Sequence, residues 1–209
     1  MYKLLHEKFG GTKMSYTEPI RNPKELKRFV DYYKIQQDQP RNYCLIILGL
    51  NTALRISDIL KLTWNDVIDF ENNTLLSRIT IIETKTGKTQ SIAINTALKK
   101  ALIELKNTQP DILPEHYLFS SLDKPFEHIS RVQAYRIIKV AANNTLNDSC
   151  HISCHSLRKT FGYFAYKNGA NPALLMSIYN HSSFEITKRY LGINQDEKDN
   201  VYLSLKFDF

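Results

Sequence analysis

Six side chains of this 209-residue chain are of types that grip phosphate or move protons, and they fall in four short islands. Arg55 stands in Thr52-Ala53-Leu54-Arg55-Ile56-Ser57-Asp58-Ile59. Lys85 stands in Thr84-Lys85-Thr86-Gly87-Lys88. The third island is His155-Ser156-Leu157-Arg158, and the fourth is His181-Ser182-Ser183, with Tyr190 nine residues beyond His181. An arginine stays charged and presents a planar fork that matches phosphate oxygens. His155 and Arg158 are three residues apart, which on a helix places them one turn apart on one face. Each residue also has an ordinary reading. Arg55 reads as a surface arginine at a helix start, and His155 with Arg158 as a solvated polar turn. Lys85 reads as a turn lysine and His181 as a satisfied, half-buried histidine. Tyr190 is one of twelve tyrosines that pack by the ring and leave the hydroxyl in water. Single signals are weak here; their order and spacing together argue for a site.

The elements that would hold these islands are mostly helical. Asn22-Pro23 reads as a cap followed by a first-turn proline, with Leu26, Phe29, Val30 and Tyr33 at helical spacing. A second, apolar helix is predicted from Arg41 to Leu50. Ser57 reads as the cap of a short helix carrying Ile59, Leu60 and Leu62. The period then changes. Ser77 to Glu83 is rich in Ile and Thr, Ser91 to Ile94 alternates, and the Gly-containing Lys85 island lies between, which predicts a β-hairpin. Val67 to Phe70 is a candidate third strand. Helices are predicted again over Thr96–Lys106, Ser130–Ala142 and His155–Lys167, the last closed by Asn168-Gly169. Asn171-Pro172 starts one running through Ile178, and Ser182 or Ser183 caps the one leading to Tyr190. The expected fold is mainly α with a small antiparallel β-sheet, an α+β class, with that sheet early in the chain.

Composition sets outer limits. Hydrophobic residues at 43% and charged residues at 23% describe an ordinary globular domain with enough chain to bury a core. Lys and Arg total 28 against 21 acids, a net charge of +7, which suits a polyanionic partner. Cys44, Cys150 and Cys154 make an odd count without repeating spacing, so a disulfide framework is not expected. Cys150 and Cys154 with His151 and His155 lack a second ligand pair at zinc-finger spacing, so no metal is expected. No apolar run approaches a membrane span and the first ten residues lack a signal-peptide pattern, so the expected location is the cytoplasm.

The islands taken together resemble the tyrosine recombinases, also called the phage integrase family. That family's pattern is an arginine in T-[GA]-[LM]-R-[IL]-[SG]-[DE]-[LI], a lysine in a β-hairpin and an H-x-L-R island. A histidine or tryptophan in a G-H-S-S-like turn follows, then a nucleophilic tyrosine. Arg55, Lys85, His155, Arg158, His181 and Tyr190 match it in order, over roughly Pro19 to Leu191. The resemblance divides the chain into an extension or linker remnant at 1–20, a catalytic domain at 21–191 and a tail at 192–209 that docks on a neighbouring subunit or packs on its own domain. Two departures stand out. Ile178-Tyr179-Asn180 replaces the usual leucine-glycine before the histidine, and asparagine tolerates the left-handed backbone needed there. The family's N-terminal clamp domain has no counterpart in residues 1–20. This implies either an excised fragment or a short member that works with the catalytic domain alone.

The resemblance implies DNA cleavage and rejoining through a 3′-phosphotyrosyl link to Tyr190, with no metal, ATP or other cofactor. Arg55 and Arg158 would hold the phosphate and His181 would add a hydrogen bond. His155 would be the base for the phenol and Lys85 the acid for the leaving oxygen. Arg131, Arg136 and Lys139 on one helix, with Lys88 and Lys159, are the candidate DNA contacts. Double-stranded DNA is the implied partner, bound by a homo-oligomer (a tetramer), with an accessory DNA-bending protein among the implied partners and no membrane. A type IB topoisomerase and a DNA-binding regulator of the same fold without catalysis are the alternatives.

Overall fold

The computed structural model describes residues 17–109, 111–121, 124–147, 151–191, 193, 199 and 202–206. Most of the expected N-terminal extension and of the 192–209 tail therefore lies outside the described residues. Helix α1 (Pro23–Asp31) is capped by the Asn22 side chain, which accepts from the amides of Lys24 and Glu25. The chain then passes through a π-turn at Tyr32–Gln36. The consecutive Tyr32 and Tyr33 are both buried there. Helix α2 (Pro40–Asn51) is buried at every residue from Asn42 to Gly49 and forms the spine of the core.

Helix α3 (Ile56–Ile59) corrects one expectation: Arg55, not Ser57, holds its cap position, with extended backbone at φ −75° and ψ 149°. The arginine is therefore fixed at a loop-to-helix junction instead of riding on a helix. Its neighbour Ala53 sits at φ 57°, in the left-handed region that a side chain rarely adopts.

Strands β1 (Ile68–Asp69) and β2 (Thr74–Leu75) form a small ladder. Strands β3 (Arg78–Ile82) and β4 (Thr89–Ala93) form the expected hairpin, paired from Arg78 with Ala93 to Ile82 with Thr89. The turn closes with the Gly87 amide on the Glu83 carbonyl at 2.9 Å and Gly87 at φ 67°. Helix α4 (Thr96–Asn107) follows, capped by Asn95. Strands β5 (Ser120–Ser121) and β6 (Lys124–His128) make a further hairpin. The single early sheet of the sequence reading is thus three separate two-stranded sheets among the described residues. The Val67 to Phe70 stretch pairs with β2, not with the Lys85 hairpin.

Helix α5 (Arg131–Thr145) is capped by Ser130 and runs one turn beyond expectation. Helix α6 (Cys154–Lys167) starts at a Ser153 capping box. Helices α7 (Pro172–Ile178) and α8 (Phe184–Leu191) complete the described fold. Helices α2 and α6 cross closely. A methyl group on Gly49 of α2 would come within 2.5 Å of Leu157 Cδ1 and 3.0 Å of Leu157 Cβ on α6. One core cluster joins α1 to α5, and a smaller one around Ala53, Leu175, Tyr179 and Leu191 underlies the C-terminal helices.

Candidate active site

The four islands converge. Arg158 on α6 is 2% exposed, and its guanidinium donates to two main-chain carbonyls. One is that of Ala53, two residues before Arg55, and the other is that of Tyr179 at 2.8 Å. The left-handed turn at Ala53 is thereby tied to Arg158. Burial lowers the Arg158 pKa, as does the nearby positive charge of Arg55, but an arginine still stays charged. Two of its five N–H donors are spent on carbonyls, leaving the rest of the fork for an oxyanion.

Arg55 donates to Glu83 Oε2 at 2.9 Å, with the arginine side chain 16% exposed and the glutamate side chain fully buried. Glu83 ends the hairpin's inward row after Ile79 and Ile81, so the strand alternation aims it at the site. Lys85 lies two residues on, exposed at the hairpin tip. Asp58 of α3 braces the same turn by accepting the Thr84 amide at 3.0 Å. Gln90 donates to the Ile178 carbonyl at 3.1 Å and ties the hairpin to the end of α7.

Asn180 takes φ 51°, the left-handed conformation that the sequence departure requires. It turns the chain so that His181 stacks on Tyr179, ring centroids 5.0 Å apart and planes 16° from parallel. The Tyr190 and His181 rings meet edge to face, their centroids 4.8 Å apart. His181 Nδ1 lies 3.0 Å from the hydroxyl of buried Thr187 on α8. Burial drives the His181 pKa down to about 4, helped by the charges of Arg158, Arg55 and Lys85 and opposed by Glu83. His155, exposed on the first turn of α6, is also held below its ordinary value, by partial desolvation first and then by the charges of Arg158, Lys159, Arg55 and Arg131. Both imidazoles are therefore neutral near pH 7.

Two tyrosines flank His181, and their hydroxyls differ. The Tyr179 hydroxyl is buried and donates to the Arg158 carbonyl at 2.8 Å, and its ring lies 4.6 Å from the Arg158 guanidinium. Burial pushes its pKa up. A methyl on Gly162 would reach within 2.1 Å of this hydroxyl, so only glycine leaves room for it. Tyr190, half-buried on α8, lies 5.1 Å from the Tyr179 ring.

Beyond this centre, Arg131 and Arg136 are exposed on α5 with Lys139 half-buried, and Lys88 is exposed beside the hairpin turn. Lys159 departs from the expectation of a surface DNA contact. It is 9% exposed, its Nζ donates to the Thr17 carbonyl, and it lies 5.6 Å from the Tyr190 ring centroid. Its face of α6 turns inward, one position past Arg158. Glu83, Tyr179, Thr187 and Asp58 also support the site, although no motif assigns them a role. Strand alternation could have flagged Glu83, an acid on an apolar face.

The model of the phage integrase family matches residues 21–197. The chain belongs to that family. Among its relatives, the probable integrase/recombinase YoeC of Bacillus subtilis (strain 168) is 38% identical over 192 residues, covering 90% of this chain and 97% of YoeC. The crystal structure of XerA recombinase aligns with a TM-score of 0.72 at 19% identity, over 93% of this chain and 68% of XerA. XerH recombinase bound to its palindromic difH substrate, in a post-cleavage complex, aligns with a TM-score of 0.66 at 19% identity. This chain is covered to 90% there and spans 53% of XerH. The two structures share this chain's fold. As a phage integrase family member, the chain is a site-specific recombinase of the tyrosine type, an enzyme that breaks and rejoins DNA.

Proposed function

We propose that residues 21–191 form a catalytic domain that exchanges strands of double-stranded DNA through a 3′-phosphotyrosyl intermediate on Tyr190, using neither a metal nor ATP. The observation that carries this reading is the contrast between the two tyrosines at His181: the Tyr179 hydroxyl is buried and spent on the Arg158 carbonyl, whereas Tyr190 is half-buried beside His181.

The Tyr190 oxygen attacks the scissile phosphorus and the bond to the 5′-oxygen breaks. The phenol proton passes to His155, whose neutral state suits a base. Lys85, on the exposed hairpin tip, gives a proton to the departing 5′-oxygen. Charge builds on the non-bridging oxygens in the transition state, where Arg55 and the remaining donors of Arg158 meet it, and neutral His181 adds a hydrogen bond. The tyrosyl ester conserves the bond energy, so a second 5′-hydroxyl reverses the step without ATP. Arg131, Arg136, Lys139 and Lys88 contact the duplex, and copies of the chain assemble as a tetramer on it.

The test is incubation with a pool of nicked duplexes, denaturing electrophoresis and peptide mapping. A DNA adduct on Tyr190, lost in Tyr190→Phe while DNA binding survives, is the expected result. An adduct that persists in Tyr190→Phe refutes the assignment, and binding without any adduct favours a regulator that has lost catalysis.

A further inference from the structure

One oxygen of Glu83 gathers three parts of the site. Glu83 Oε2 accepts from Arg55 Nη1 at 2.9 Å, from the Thr86 hydroxyl at 2.7 Å and from Asn180 Nδ2 at 3.1 Å. Thr86 belongs to the hairpin turn beside Lys85, and Asn180 immediately precedes His181. The carboxylate is fully buried, and its other oxygen has no hydrogen-bond partner among the described residues. A carboxylate placed only for stability would be poorly used this way, since an unsatisfied buried acceptor is costly. Burial pushes its pKa up, yet the hydrogen bonds from Thr86, Asn180 and Arg55 outweigh this and hold the group ionised. Asn180 adds a point particular to this chain. Its left-handed turn would suit glycine, but glycine has no amide to reach Glu83.

We infer that Glu83 is a positioning residue that fixes Arg55, the Lys85 hairpin and the His181 turn in one arrangement, with Asn180 as its partner across the site. This rests on the recombinase reading of the site. Glu83 does not touch DNA; it orients the fork of Arg55 toward the phosphate and sets how far the hairpin tip stands from His181. Loss of its charge should slow cleavage and leave binding alone.

The test compares wild type, Glu83→Gln, Asn180→Gly and the double variant. Glutamine keeps the shape and loses the charge, and glycine keeps the turn and loses the amide. The first readout needs no cleavage: the ¹⁵N relaxation of Arg55 Nε in the free protein. A rigid Arg55 in wild type that becomes mobile in Glu83→Gln supports the inference, and an equally rigid Arg55 in both overturns it. The second readout uses a nicked duplex selected from a random pool by the wild-type protein. Single-turnover cleavage should fall ~10- to 100-fold in Glu83→Gln with unchanged DNA affinity. The two variants should be less than additive, because they cut the same link. Affinity and cleavage that fall together would overturn the inference. If wild type forms no adduct, the recombinase reading fails and the Arg55 relaxation still decides the role of Glu83.

Discussion

The ring of Tyr179 packs against both the guanidinium of Arg158 and the imidazole of His181, its centroid 4.6 Å from the first and 5.0 Å from the second. Its carbonyl also accepts from Arg158, and its hydroxyl returns a bond to the Arg158 carbonyl. Arg158 and His181 thus share one buried aromatic ring as a packing partner. The site's geometry then depends on the slot that admits this ring.

Gly162 makes that slot. Gly162→Ala should destabilise the domain by about 1–3 kcal/mol, because the clash with the Tyr179 hydroxyl exceeds the roughly 1 kcal/mol that alanine gains over glycine in a helix. Tyr179→Phe alone should cost about 1 kcal/mol through its lost hydrogen bond. Combined, the two should cost clearly less than their sum. Chemical denaturation of the four proteins measures this, and simple additivity would show that the hydroxyl is not what Gly162 accommodates.

Acid should weaken the fold through the histidines. His181 in the unfolded chain takes up a proton near its ordinary value of 6.5, but in the fold only near 4. Between these values the unfolded state binds more protons, so stability falls as pH falls through that window. His155 is shifted the same way and adds to the slope. Thermal melts from pH 7 to 4 should show a shallower loss for His181→Gln than for wild type. Equal slopes would place the titration elsewhere.

In the proposed mechanism, Arg55 and Arg158 supply the positive charge that a metal would otherwise bring to the phosphate. Adduct formation on nicked DNA should run at the same rate in excess EDTA as without it. A rate that collapses in EDTA and returns with magnesium would count against the arginines as the sole charge on the phosphate.

Exposed and buried cations should separate in salt titrations of DNA binding. Arg136→Ala, on the exposed face of α5, should reduce the log–log salt slope by about 1. Lys159→Ala should leave that slope unchanged, because Lys159 is turned inward toward Thr17 and Tyr190. A slope that shifts for Lys159→Ala alone would restore it to the DNA-facing surface.

Much of this was legible in the sequence because it is local. Asn-Pro caps, apolar spacing and a glycine turn each act within a few residues, so the helices and the Lys85 hairpin were readable. The short strands β5 and β6 were not, since Lys124 to His128 mixes charge, proline and aromatic residues without alternation. The π-turn escaped for a related reason: it inserts one residue into a helical period and lets adjacent tyrosines both face inward. Site residues found by motif are the ones whose chemistry is visible singly. Glu83 and Tyr179 were harder, because their meaning lies in partners 28 and 21 residues away, Arg55 and Arg158. The inward face of Lys159 depends on how α6 packs against its neighbours, which local spacing does not determine.

The contact between Gly49 and Leu157 bears on how such a chain diversifies. Helix α2 leads through Thr52 to Arg55, and α6 carries Arg158, so the packing of the Leu157 side chain against Gly49 acts as a common foundation for both arginines. The proposed DNA contacts, on the outer face of α5 and at the hairpin tip, lie outside that foundation. Substitutions there leave the arginine spacing intact, whereas a methyl group at position 49 must displace the Leu157 side chain of α6. Under that assignment, recognition can change while the two arginines keep one fixed gauge.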